Sequence, residues 1–210
     1  MRIAILALVI GGVANAGGAE DITVAAPTCD AARAHCFAIQ LHVANDATGL
    51  VVAPTWIANQ LETANKQFEI VDVGFQLAGV DTASVEHVVT RADRDALYTG
   101  KLAARTIHVF ITAKLDDIDS PGQIIYGVTW HAHDTKYIVV SGMAWERTLA
   151  HELGHYFGLP HSTYAISIMN KTARDEPPFD ERRFADEEIT KLRAAIDHIV
   201  KTKALAEIHP

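Results

Sequence analysis

The sequence predicts an α+β fold of α/β-like order, on three observations. Five short runs rich in β-branched and aromatic residues are separated by turn-forming segments. A helical apolar spacing opens at Pro54, between the first two of those runs. A second striped helix closes the chain. The elements follow in order. Phe37–Val43 alternates, with Phe37, Ile39, Leu41 and Val43 on one side, and reads as a strand. The helix from Pro54 carries Ile57, Leu61, Ala64 and Phe68 on one face. Ile70–Leu77 is the next strand, and residues 91–98 suit a short helix. Thr106–Thr112, Ile124–Thr129 and Tyr137–Ser141 supply three more strands. A helix from near Met143 to Phe157 follows. The last helix begins near Asp186, where acidic residues complement its dipole, and buries Ile189, Leu192, Ile196 and Ile199.

Residues 151–161 read His-Glu-Leu-Gly-His-Tyr-Phe-Gly-Leu-Pro-His. His151 and His155 are one helical turn apart, so their imidazoles share a face and can grip one metal ion. Glu152 stands beside the first ligand, where a carboxylate reaches a water on that metal. Gly158 lets the chain leave the helix, Pro160 cannot continue it, and His161 arrives as a third imidazole. Three protein nitrogens and one open position are the coordination of a catalytic zinc rather than a closed structural one. Met169 follows within Ser167-Ile168-Met169-Asn170.

The long motif followed by a methionine resembles the metzincin clan of zinc endopeptidases. Ser162 after the third His, the spacing to Met169, and Phe184 before Asp186-Glu187-Glu188-Ile189 look most like a minimal bacterial matrixin. The specific motifs span residues 148–170, and a looser likeness spans 38–200. Two departures stand out. The short interval from Tyr137 to Thr148 leaves no room for the matrixin loop that carries a structural zinc and calcium. Asn170 and Lys171 follow Met169, so the metal-capping tyrosine of astacin-like and serralysin-like members is missing.

The resemblance implies a twisted, mixed five-stranded sheet on two long helices, with a small C-terminal lobe holding one helix. The upper subdomain would be residues 37–158 and the lower one 159–210. By the same resemblance the strand near Ile124–Thr129 is an antiparallel edge that pairs with extended peptides. Met169 would form a hydrophobic floor beneath the imidazoles. Residues around Met169–Thr172 would wall the pocket for the side chain after the cleaved bond. His151, His155 and His161 would hold one Zn2+ ion that acidifies a water, with Glu152 as general base. The expected partner is an extended peptide or protein substrate, and a monomer suffices.

Bulk properties agree with an exported enzyme. With 210 residues, 49% of them hydrophobic and 21% charged, the chain can build one cored domain or two tightly packed subdomains. A net charge of −8 without basic runs excludes nucleic acid and anionic membrane as partners. Met1-Arg2, the apolar Ile3–Val13 and Ala14-Asn15-Ala16 form a signal peptide for cleavage after Ala16. The apolar run is too short to span a bilayer, so no membrane anchor is expected and the product is secreted or periplasmic.

Residues 17–36 then form an N-terminal tether or a short pro-segment ahead of a catalytic domain over 37–210. Cys29 and Cys36 are the only cysteines. In an exported chain they favour one disulfide. The alternative is a latency switch, since Pro27-Thr28-Cys29-Asp30 resembles the pro-segment whose thiolate masks the metal in some metzincins.

Weaker clusters have plainer readings. His131-Ala132-His133-Asp134 has ligand chemistry but suits a polar turn between strands. Asp116, Asp117 and Asp119 offer oxygen ligands, yet they precede a Ser120-Pro121-Gly122 turn, and Ca2+ is not indicated. His42, His87, His108, His198 and His209 have no partner spacing. Two rival functions remain: a secreted zinc- or peptide-binding module without turnover, and a metal-dependent hydrolase of a non-peptide amide.

Overall fold

The computed structural model describes residues 24–25, 27–30, 32–98 and 102–208. The expected signal peptide, residues 1–16, lies outside the described residues, as does His209.

Strand β1 runs His35–Asp46, longer at both ends than its alternating apolar centre, and returns through a tight turn to β2, Gly49–Leu50. Helix α1, Pro54–Phe68, starts with proline in its first turn and buries Ile57, Leu61, Ala64 and Phe68. The expected strand at Ile70 starts later. Residues Glu69–Val71 continue as a 3-10 turn that ends at Asp72 in the left-handed region (φ 62°), and β3 runs Val73–Ala83. Ile70, apolar but 46% exposed, misled the periodicity. Strand β4 (His87–Val88) precedes α2 (Arg91–Ala96), which Thr90 and Asp93 cap reciprocally. Next come β5 (Ile107–Thr112), β6 (Lys114–Leu115), β7 (Gly127–Ala132) and β8 (Thr135–Ser141). The two-residue strands β4 and β6 pair only with each other and are too short to leave a pattern.

The body of the main sheet is ordered β3-β1-β5-β8-β7, with β2 as a short return on β1. Strands β3, β1, β5 and β8 are parallel, and β7 is the antiparallel edge. The mixed five-stranded arrangement and its edge are therefore as expected, although the edge strand lies three residues further along, at Gly127–Ala132. Every residue of β5 is buried because both faces of the sheet are covered. One core joins β1, β3, β5 and β8 to the helices through Phe37, Phe68, Phe75, Leu153 and Phe184. A second, on the opposite face, gathers Val88, Leu97, Phe110, Tyr137 and Val139.

Helix α3 spans Thr148–Tyr156, not the longer stretch from Met143. After β8 the backbone folds into turns: Ala144 N–H donates to Ser141 O, Met143 N–H to Ser141 Oγ, and Thr148 N–H to Trp145 O. These bonds capture amides that a helix would need, so α3 nucleates only beyond them. Helix α4 runs Asp186–Thr202 with three acidic residues in its first turn and Ile189, Leu192 and Ile196 buried. Cys29 and Cys36 are joined by a disulfide, Cα to Cα 6.1 Å, and the thiolate-switch alternative falls with it.

Candidate active site

Helix α3 presents His151 and His155 on one face, and the chain turns at Gly158 (φ 95°) to bring His161 back toward them. Ring centroids lie 4.7 Å apart for His151 and His155, 4.6 Å for His155 and His161, and 5.3 Å for His151 and His161. One nitrogen from each ring falls within 4.8 Å of the others. His151 Nδ1 lies 2.7 Å from Ile168 O, and His155 Nδ1 2.7 Å from Leu159 O. A carbonyl only accepts, so each Nδ1 carries the proton and each Nε2 keeps a free lone pair. Burial also favours the neutral rings. It pushes His151 down to about 4 and lowers His155 and His161. Three neutral imidazoles converging at one cleft wall, two with fixed tautomers, fit the nitrogen-rich coordination of zinc.

Glu152 is 4% exposed and sits against β7. Thr129 Oγ1 lies 3.0 Å from its Oε2 and 2.8 Å from its backbone carbonyl. Gly127 makes the fit possible: a Cβ there would stand 2.8 Å from both Glu152 Cγ and Thr148 Cγ2. Burial pushes the Glu152 carboxyl up to about 7, and the Thr129 hydrogen bond opposes the rise.

Met169 is fully buried under α3, where a Cβ on Gly154 would come within 2.5 Å of its Sδ. Met169 N–H donates to Ser167 Oγ (2.8 Å), and Ser162 N–H donates to Met169 O (3.2 Å). Ser167 Oγ in turn lies 2.6 Å from the buried Glu188 carboxylate of α4, which also accepts from Ala185 N–H. The turn beneath the three rings is thus pinned to the first turn of the last helix. Arg174 completes the loop by donating to the carbonyls of Ala165, Ser167, Asn170 and Thr172.

The three imidazoles, Glu152, Thr129 and Arg174 line a cleft of about 800 Å³ that runs along β7, with Ile124–Thr129 on one side and Ile168 and Asn170–Arg174 on the other. Sequence reasoning missed Gly127, Thr129, Ser167, Glu188 and Gln60. Gln60 is buried on α1, accepts from Leu149 N–H and donates to Trp145 O, so it satisfies the start of α3. A polar residue within the apolar stripe of α1 was the available signal for it. Gly127 and Thr129, and the pairing of Ser167 with Glu188, become visible only through contacts distant in sequence.

The weaker clusters form no metal-holding group among the described residues, although His131, Asp117 and Asp119 line the cleft. His133 and Asp134 form the β7–β8 hairpin turn, His133 with φ 54°, while His131 is the penultimate residue of β7. Asp116 bonds His87 and Lys114, and Asp117 accepts from Asp119 N–H. His42 and His108 do have a partner, namely each other, at 2.9 Å across β1 and β5.

The profile of the family described as Matrixin matches residues 61–192, more than half of the chain. The chain belongs to the matrixin family. Its three clustered histidines are consistent with the catalytic zinc site of that family. No curated protein matches its sequence. Among solved structures it is similar in fold to metalloproteinase-II from Bacteroides fragilis, with 11% identity, TM-score 0.57, and coverage of 87% of this chain and 58% of that one. It is also similar to archaemetzincin from Methanopyrus kandleri, with 18% identity, TM-score 0.54, and coverage of 79% and 98%. The matrixin therefore spans little more than half the length of the Bacteroides protein. As the sequence suggested, only the turns of Gly142–Arg147 connect β8 to α3.

Proposed function

We propose that this matrixin is an exported endopeptidase that hydrolyses internal bonds of extended peptides, with Glu152 as its general base. The observation that carries the reading is the placement of Glu152. It is a buried carboxylate one residue from His151, oriented by Thr129 and opening on the same cleft as the three imidazoles. A purely structural metal site has no use for that group.

His151, His155 and His161 would hold the zinc. When bound, zinc supplies Lewis acidity for the scissile carbonyl and brings the pKa of a water toward neutrality. The chain's own residues do the rest. The unpaired edge of β7 offers main-chain donors and acceptors that hold the peptide extended. Glu152 takes a proton from the attacking water and passes it to the leaving amine. Thr129 and the wall at Gly127 keep the carboxylate in one position, and Met169 supports the helix that carries two of the rings. Export rests on the signal peptide read in residues 1–16.

The test is a peptide-library digest with zinc-loaded protein, run beside Glu152→Ala and a chelated sample. Glu152→Ala is expected to fold, to bind one zinc and to lose roughly 10²–10⁴-fold in rate. Full activity in that variant would sink the assignment. Absence of cleavage by zinc-loaded wild type would favour a binding module.

A further inference from the structure

The cleft is charged at one end in a way the hydrolytic step does not require. Lys171, Arg174 and Arg182 line it beyond the three imidazoles, together with Arg147 and the half-exposed Phe179. The Arg147 guanidinium stacks 4.3 Å from the Phe179 ring centroid, and that of Arg182 lies 5.7 Å from it. Arg174 and Arg182 donate to backbone carbonyls, as does Arg147 to Arg182 O. A carbonyl satisfies a donor without neutralising its charge.

Among the described residues none of these four cations has an ion-pair partner. Arg147 Nε is buried with no hydrogen-bond partner at all. Glu146 and Asp180 act on Arg147 only from further off. Besides Glu152, the carboxylates lining the cleft are Asp117 and Asp119, which belong to the loop before β7 and face Arg94.

Lys171 lines the same cleft as the three imidazoles and Glu152. A chain of net charge −8 has gathered, beside the bond it would cleave, four cations with no direct ion pair among the described residues. An anionic group seated there finds preorganised donors, with the Phe179 ring to cover its methylenes.

We infer that this matrixin selects acidic substrates, seating a glutamate or aspartate side chain that flanks the cleaved bond against Lys171, Arg147 and Arg182. The inference rests on the peptidase reading of the cleft and names its substrate class. The position of the acidic residue relative to the cleaved bond is read out by the experiment.

The test uses blocked peptides, so that the only carboxylate is a side chain, differing by Glu, Gln or Lys at each flanking position in turn. At one position kcat/KM is expected to be about tenfold higher for Glu than for Gln, since one or two partly exposed ion pairs contribute on that order. Lys is expected to be poorer still. The preference should shrink with added salt. Lys171 is exposed and makes no side-chain hydrogen bond among the described residues, so Lys171→Glu tests charge without dismantling the loop that Arg174 holds. That variant should narrow the preference or turn it toward Lys.

A second readout is independent of turnover: fluorescence-anisotropy binding of the same peptides to zinc-loaded Glu152→Ala should follow the same order. Equal kcat/KM and equal Kd across Glu, Gln and Lys peptides would overturn the inference. Charge-selective binding without cleavage by wild type would instead overturn the peptidase reading while supporting the acidic seat.

Discussion

Gly127→Ala isolates the positioning of Glu152 from its chemistry. The added Cβ would stand 2.8 Å from Glu152 Cγ, 2.8 Å from Thr148 Cγ2 and 2.9 Å from Glu152 Oε1. Carbon atoms in good contact keep about 3.5 Å or more, so the glutamate side chain must retreat by roughly 0.7 Å. Both contacted residues lie on α3, so the clash acts between the edge strand and the catalytic helix. A misplacement of ~1 Å in a reacting constellation costs on the order of 10²-fold in rate. Overpacking of this kind costs roughly 1–3 kcal/mol in stability.

Gly127→Ala is therefore expected to lower kcat/KM about 10²-fold and to shift the urea midpoint modestly. Zinc stoichiometry should be unchanged, because the three atoms nearest the new methyl belong to Glu152 and Thr148 rather than to an imidazole. Steady-state kinetics, metal analysis and urea unfolding on one preparation decide the matter. Wild-type kcat/KM in a folded, zinc-loaded variant would show that the wall at Gly127 does not hold the base.

Three further expectations concern the frame around the site. Glu188→Ala strands Ser167 Oγ and Ala185 N–H, both paired with its carboxylate, and should cost roughly 3 kcal/mol in urea unfolding; an unchanged midpoint refutes the tie between the turn and α4. His42 and His108 are held below the ordinary histidine pKa, chiefly by burial and for His42 also by the charge of His108. The unfolded chain thus binds more protons, and stability present above about pH 6.5 is lost as pH falls toward the folded values. His108→Gln should flatten the decline of Tm over that acid range, whereas parallel curves would reject the assignment. The Cys29–Cys36 bridge closes a loop over a sequence separation of 7 and contributes about 2.5 kcal/mol by chain entropy. Thiol titration should find no free thiol in native protein. Reduction should lower stability without raising activity, and a rise in activity would revive the latency switch.

The zinc-site residues were legible because their spacing is short. His151, Glu152 and His155 share one helix, and Gly158, Pro160 and His161 leave little freedom for the return. The five strands of the main sheet were legible because alternation and β-branching mark half-buried and buried strands. Boundaries failed where local hydrogen bonding won over pattern. Ser141 and Trp145 delay α3, and the left-handed Asp72 postpones β3. His42 and His108 carry no mutual spacing, since their contact depends on the parallel register of β1 and β5.

The sequence by itself determined the metal, its three ligands and the carboxylate beside them, because a helix converts spacing in the chain into shared direction. It also marked the five strands and the closing helix, because burial imposes a period on apolar residues, whereas the largely parallel pairing of those strands came only from the resemblance to metzincins. Only the tertiary structure decided that Gly127 and Thr129 wall and orient Glu152 and that Glu188 anchors the turn at Met169. It alone placed Arg147 and Arg182 against Phe179 in a cleft that Lys171 and Arg174 also line. Such groupings join residues from separate elements, and no local period encodes which strand will lie against which helix.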